Sequence, residues 1–238
     1  TVPRRIAYSA KRRDQESHRL PATRTLVGLR RRLLGWFEKN GRKFPWRKPS
    51  ASNYQYIIAE VLLQRTRAET VADFFPRFIE EFPSWKKLGS VSVERLERYL
   101  QPIGLWRRRA TSIQALARVM AKKNGRFPKN REAIEELPGI GQYIANAVLL
   151  FCHGEAQALL DTNMARVLER VFGPRNLADI RYDPYLQKLA LEFVQCKEAR
   201  KLNWAILDLA ATTCRKNRPH CDECPLMSKC QAARKRIK

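Results

Sequence analysis

The chain has 238 residues, 44% of them hydrophobic, enough for one large or two small domains with real cores and too much for a disordered chain. Lys and Arg number 47 against 23 Asp and Glu, a formal net charge of +24 that implies a polyanionic partner. No long apolar run or isolated amphipathic anchor appears, which favours nucleic acid over a membrane, and no signal-peptide pattern opens the chain.

Residues 1–22 are basic and polar, with Arg4, Arg5, Lys11, Arg12 and Arg13 and no helical apolar period; they read as a loose arm, either lying on DNA or solvated. Leu26, Leu29, Leu33, Leu34 and Phe37 recur at helical spacing over 23–39, and Gly41 and Pro45 end that helix. Phe44-Pro45-Trp46-Arg47 is an aromatic loop. The spacing predicts a helix over 57–66, in which Glu60 and Gln64 would share a polar stripe with the following Arg67. A helix over 68–82 is closed by Pro83, and others are expected over 92–100, 108–124, 131–136, 143–152, 162–172, 184–194 and 202–214. A turn-rich connector occupies 173–182. No alternating strand pattern appears, so the fold class is all-α, with about ten helices joined by short loops.

Two glycine turns interrupt this series. Gly104-Leu105-Trp106-Arg107-Arg108-Arg109 opens a helix with three arginines, whose charge opposes the helix dipole. A bound phosphate would relieve that conflict; simple solvation is the alternative. The second turn, Leu137-Pro138-Gly139-Ile140-Gly141-Gln142-Tyr143, joins two helices and points N–H groups outward, as an anion site requires. A connection that uses glycine only for tight packing is the bland reading.

Of six cysteines, four form the series Cys214-x6-Cys221-x2-Cys224-x5-Cys230. Such clustering suits a metal centre in a reducing compartment better than a disulfide framework. Zinc sites of four cysteines usually pair two CxxC knuckles, and here only Cys221 and Cys224 form one. Cys152 and Cys196 fall in apolar helical patterns and read as core residues.

The hairpin, the Asp161-Thr162-Asn163 step eighteen residues after Tyr143, and the uneven cysteine spacing together resemble the endonuclease III/MutY superfamily of helix-hairpin-helix DNA glycosylases, over about residues 24–232. The likeness is nearest to thymine–guanine mismatch glycosylases, with the MutY adenine glycosylases second. It implies two helical domains with a DNA groove between them. One is a six-helix barrel over 45–153; the other is assembled from 23–44 and 154–238 and holds a [4Fe–4S] cluster on Cys214, Cys221, Cys224 and Cys230, zinc being the alternative.

The resemblance also implies roles. Asp161 would stabilise the positive charge that develops on the sugar as the base leaves, where an ordinary helix cap is the local alternative. Glu60 would line the base pocket and assist the leaving base or orient water. Tyr143 stands where bifunctional relatives carry a Schiff-base lysine, so a lyase step by that route is not expected. Asn163 would hold Asp161 or the sugar backbone, Arg65 and Leu105 would fill the gap in the base stack, and Leu137, Gly139, Ile140 and Gly141 would sit on DNA.

The expected function is a monofunctional glycosylase acting on a mismatch in double-stranded DNA, as a monomer in the cytoplasm of a prokaryote. Cys230 stands eight residues before the last one, without the further domain of MutY enzymes, and this makes thymine, then uracil, opposite guanine the expected base. A shortened adenine glycosylase and an inert iron–sulfur DNA-binding protein are the other readings.

Overall fold

The computed structural model describes residues 19–237, with side chains as far as Arg234, so nearly all of the expected basic arm lies outside the described residues. The helices are α1 (Thr23–Asn40), α2 (Asn53–Leu63), α3 (Ala68–Glu81), α4 (Trp85–Gly89), α5 (Val93–Leu100), α6 (Trp106–Lys122), α7 (Arg131–Glu135), α8 (Gln142–Cys152), α9 (Thr162–Phe172), α10 (Pro184–Val194), α11 (Ala199–Thr212) and α12 (Gln231–Ile237), and no strand occurs among the described residues.

Local chemistry sets most of the helix starts. The Ser52 hydroxyl accepts the Gln55 N–H while the Gln55 side chain accepts the Ser52 N–H, a capping box that begins α2 four residues earlier than its apolar spacing suggests. The same helix stops at Leu63, because Arg65 takes a left-handed φ of 57°. Gln64 and Arg67 therefore lie outside it, and the expected polar stripe with Glu60 does not exist. Ser84 and Ser92 cap α4 and α5 through their hydroxyls alone, which accept the Lys87 and Arg95 N–H groups, and α4, unassigned from sequence, is one short turn packed on α6. Asp183 is fully buried and caps α10; its carboxylate accepts the N–H groups of Asn176, Leu177 and Leu186, each at 2.6 Å, which gives the 173–182 connector a fixed shape.

Two apolar cores result. The first gathers α2 to α8 around Ile57, Phe78, Leu88, Ile113 and Val148, and Trp204 reaches into it from α11. The second joins Leu26, Leu29 and Leu33 of α1 to α9, α10 and α11 through Met164, Leu168, Phe193 and Ile206. Where the chain passes between them, Ala158 and Leu160 pack into the second core and Leu159 into the first. The hairpin between α7 and α8 lies against α6: Gly139 has φ +74°, and a Cβ there would come 3.0 Å from the Ser112 Cβ, so both its conformation and its space require glycine.

Candidate active site

The two cores meet where α2, α8 and the start of α9 converge. Glu60 on α2 is 5% exposed, and the Tyr143 hydroxyl at the start of α8 donates to its Oε2 at 3.1 Å. Burial pushes the Glu60 carboxyl up to about 7; the hydrogen bond from Tyr143 and the charge of Arg47 oppose the shift, and the charge of Asp161 adds to it. The Tyr143 hydroxyl is likewise held well above its usual range, by burial first and then by the charges of Glu60 and Asp161. A carboxyl raised this far is partly protonated near neutral pH, the state in which it can donate to a leaving group.

Asp161 is the helix cap that its local sequence allowed, and its charge reaches the Glu60–Tyr143 pair. As N-cap of α9, its Oδ1 accepts the N–H groups of Asn163 at 2.9 Å and Met164 at 2.8 Å. Its Oδ2 accepts from the Asn163 side-chain amide at 2.7 Å, and its charge reaches Glu60 and Tyr143. Arg166 donates to the Asn163 Oδ1 at 3.1 Å, which turns the amide N–H₂ toward Asp161. Two buried asparagines fix the approach to Asp161. Asn203 of α11 accepts the Leu159 N–H at 2.7 Å and donates to the Gln157 carbonyl at 3.0 Å, while Asn146 of α8 donates to the Ala158 carbonyl at 2.7 Å. Both cores thus grip the three residues that lead into Asp161.

A groove of about 600 Å³ is lined by Phe44, Arg42, Arg47, Lys48, Lys201 and Trp204; Glu60, Tyr143 and Asp161 do not line it, and Arg47, whose charge reaches Glu60, links the two. Beneath it Asp208, with no exposure, accepts from the Arg42 N–H and Nε and from both terminal nitrogens of Arg47, at 2.8–3.1 Å. The Arg47 guanidinium lies over the rings of Phe44 and Trp204, 4.8 and 5.3 Å from their centroids. Sequence reasoning noted only the aromatic loop here. A lone aspartate in the apolar run from Trp204 to Ala211 was the available signal for Asp208.

The other expected residues fall into three places. Arg65 and Leu105 are exposed, on two neighbouring loops away from the cores, both with left-handed φ. At the hairpin Gly139 and Gly141 are exposed, but Leu137 and Ile140 are each 7% exposed and pack into the first core, so those two offer a ligand backbone and not side chains. Cys214, Cys221, Cys224 and Cys230 line one cavity with Val167, Leu226 and Ala233, beside α9. Among the described residues no three His, Cys, Asp or Glu side chains are grouped so as to hold a metal ion. Arg170 of α9 donates to the carbonyls of Arg215 at 2.6 Å and Lys216 at 2.9 Å, and Arg166 to that of Cys214 at 3.1 Å, tying the cysteine loop to the helix that Asp161 caps. Cys152 and Cys196 are partly buried against the first and second cores.

Residues 58–192 match the HhH-GPD superfamily of base excision DNA repair proteins. The chain belongs to that superfamily. It is 36% identical over 210 residues to the thymine-DNA glycosylase of Aeropyrum pernix, a match covering 86% of this chain and 94% of that one. With the thymine/uracil-DNA glycosylase of Pyrobaculum aerophilum it shares 33% identity, over 82% and 86% of the two chains. With the adenine DNA glycosylase of Rattus norvegicus it shares 30%, over 87% of this chain and 42% of the relative. Its structure superposes on that of a thermostable thymine-DNA glycosylase with a TM-score of 0.81 and 30% identity, covering 89% and 98% of the two chains. Endonuclease III in a trapped complex with DNA shares the fold, with a TM-score of 0.75 at 24% identity. The all-helical HhH-GPD fold expected from sequence is thus the fold observed, and no helix among the described residues is long and apolar enough to cross a membrane.

Proposed function

We propose that this protein is a monofunctional DNA glycosylase that hydrolyses the N-glycosidic bond of thymine, or uracil, mispaired with guanine in double-stranded DNA. The observation that carries the reading is the buried Glu60–Tyr143 pair within reach of the Asp161 charge. Asp161 stabilises the positive charge on the sugar as the C1′–N bond breaks. Glu60, protonated, donates to the departing base, and water completes the sugar. Tyr143 holds the Glu60 carboxyl and, lacking an amine, forms no Schiff base with the sugar. Arg65 and Leu105 enter the base stack, and the hairpin backbone at Gly139 and Gly141 meets phosphate.

The flipped base meets Glu60 where the charge of Arg47 reaches that carboxyl. Around Arg47 the buried Asp208 is saturated by Arg42 and Arg47, so these neighbours present cations and no free carboxylate. Such surroundings suit the two carbonyls of thymine or uracil better than the amino group of adenine. The similarity to the Aeropyrum and Pyrobaculum enzymes points the same way.

We further propose that Cys214, Cys221, Cys224 and Cys230 hold a [4Fe–4S] cluster, and that the two cores are the two domains expected from sequence, 45–153 and 23–44 with 154–238. The four thiols line one cavity, which supports a shared metal centre, and their uneven 6-2-5 spacing departs from the paired CxxC knuckles of zinc sites. When bound, the cluster supplies a rigid fold for the loop whose Arg215, Lys216, Arg218 and Lys229 meet phosphate. Single-turnover excision decides the substrate: thymine should leave a G·T duplex much faster than adenine leaves a duplex pairing it with 8-oxoguanine. Faster release of adenine means an adenine glycosylase.

A further inference from the structure

Arg109 belongs to the arginine triplet whose charge opposes the dipole of α6, yet it binds no external anion: it is 6% exposed and turned back into the protein. Its Nη1 donates to the carbonyls of Ile103 at 3.1 Å and Gly104 at 2.7 Å. Its Nη2 donates to the Gln64 carbonyl at 2.7 Å and the Thr66 hydroxyl at 2.9 Å. The Thr66 hydroxyl in turn donates to the Ile103 carbonyl at 3.2 Å. One planar fork therefore spans two loops far apart in sequence, 64–66 and 103–105.

At the tip of each loop stands a non-glycine residue in the left-handed region, Arg65 at φ 57° and Leu105 at φ 52°, the latter preceded by Gly104 at φ 71°. Such conformations persist only where the surroundings hold them. Leu105 is 52% exposed although apolar, and Arg65 is exposed as well. The bonds fall on Gln64 and Thr66, either side of Arg65, and on Ile103 and Gly104, just ahead of Leu105. We infer that Arg109 is a positioning residue that locks Arg65 and Leu105 into one two-pronged wedge, stiff enough to take the place of an extruded base.

The inference rests on the proposed glycosylase reading and predicts a substrate-dependent defect. Arg109 has no part in the Glu60–Asp161 site, so its loss should slow base extrusion and spare bond cleavage. The experiment compares wild type, Arg109→Lys and Thr66→Val on two duplexes: a G·T mismatch, and the same sequence with thymine opposite an abasic site, which has no partner to lose. Excision is followed in single turnover, and extrusion separately by fluorescence of 2-aminopurine placed next to the thymine.

Arg109→Lys keeps the charge but loses the fork. It should cut G·T excision and the fluorescence signal about tenfold, and leave release of the unpaired thymine within about threefold of wild type. Combining it with Leu105→Ala should cost no more than Leu105→Ala alone, because the two act as one unit. Equal losses on both duplexes, or fully additive losses, overturn the inference. Should Arg109→Lys fail to fold, Thr66→Val, which removes the hydroxyl's bonds with Arg109 and Ile103, must show the same contrast in smaller measure, and its absence there also overturns the inference. Because the fluorescence reads extrusion without chemistry, a wild type that binds, extrudes and never cleaves would sink the glycosylase reading alone.

Discussion

At the scale of single residues, the proposed reaction divides two tasks between Asp161 and Glu60, two carboxyls in different surroundings. Asp161 is bonded by three N–H donors, and in that proposal it acts through its charge. Asp161→Asn should abolish excision while duplex affinity changes little, since the charge matters once the sugar turns positive; near-normal single-turnover rates would reduce Asp161 to a cap. Glu60 is buried with its carboxyl raised to about 7. As a proton donor it should make the cleavage rate fall as pH rises through about 7, and a rate that climbs there would make it a base. The same shift has a stability sign. The folded state binds the proton more tightly than the unfolded chain, so stability falls as pH rises from the ordinary glutamate value toward 7. Glu60→Gln removes the buried charge and should be inactive yet more stable than wild type at pH 8, by about 1–3 kcal/mol in a denaturant titration. Equal stability at pH 5 and pH 8 for wild type would contradict the buried, raised carboxyl.

At the scale of elements, the connector after α8 matters more than its lack of regular structure suggests. Asn146 and Asn203 satisfy its backbone from opposite sides, and each is nearly or fully buried. Asn203→Ala leaves the Leu159 N–H and the Gln157 carbonyl without their partner, a loss of about 1–3 kcal/mol in unfolding free energy. Because the shift moves Asp161 and not the DNA-binding surface, kcat should fall while Kd for duplex holds. A matched loss of affinity would make Asn203 a general core residue. The cap of α9 has a further support in Arg166, which fixes the Asn163 amide from the next turn of the same helix.

For the whole molecule, α9 couples the site to the cysteine loop through Arg166 and Arg170. The purified protein should be brown and contain iron and sulfide near four each per chain, as a [4Fe–4S] centre requires; one zinc and no iron in an oxygen-protected sample would replace that proposal with a zinc site. Cys221→Ser should lower Tm and weaken duplex binding together, because metal binding and loop folding are coupled. Affinity should also fall steeply with salt, as a formal charge of +24 and the exposed Arg and Lys of the loop demand.

The sequence by itself determined the helices, the glycine hairpin and the cysteine cluster, because each is a matter of local spacing: apolar residues at the helical period, φ > 0 at Gly139, thiols a few residues apart. Resemblance then singled out Glu60 and Asp161, whose local sequences look like a surface residue and a cap. Only the tertiary structure put Glu60 in the interior against Tyr143, 83 positions away, and filled Asp208 with two arginines from the far end of the chain. It also turned Arg109 from an apparent phosphate ligand into a buried brace, and shortened α2 so that Arg65 stands free of the helix. These outcomes depend on which side chains meet across the two cores, and a carboxyl or guanidinium takes its protonation, its partners and its use from those neighbours.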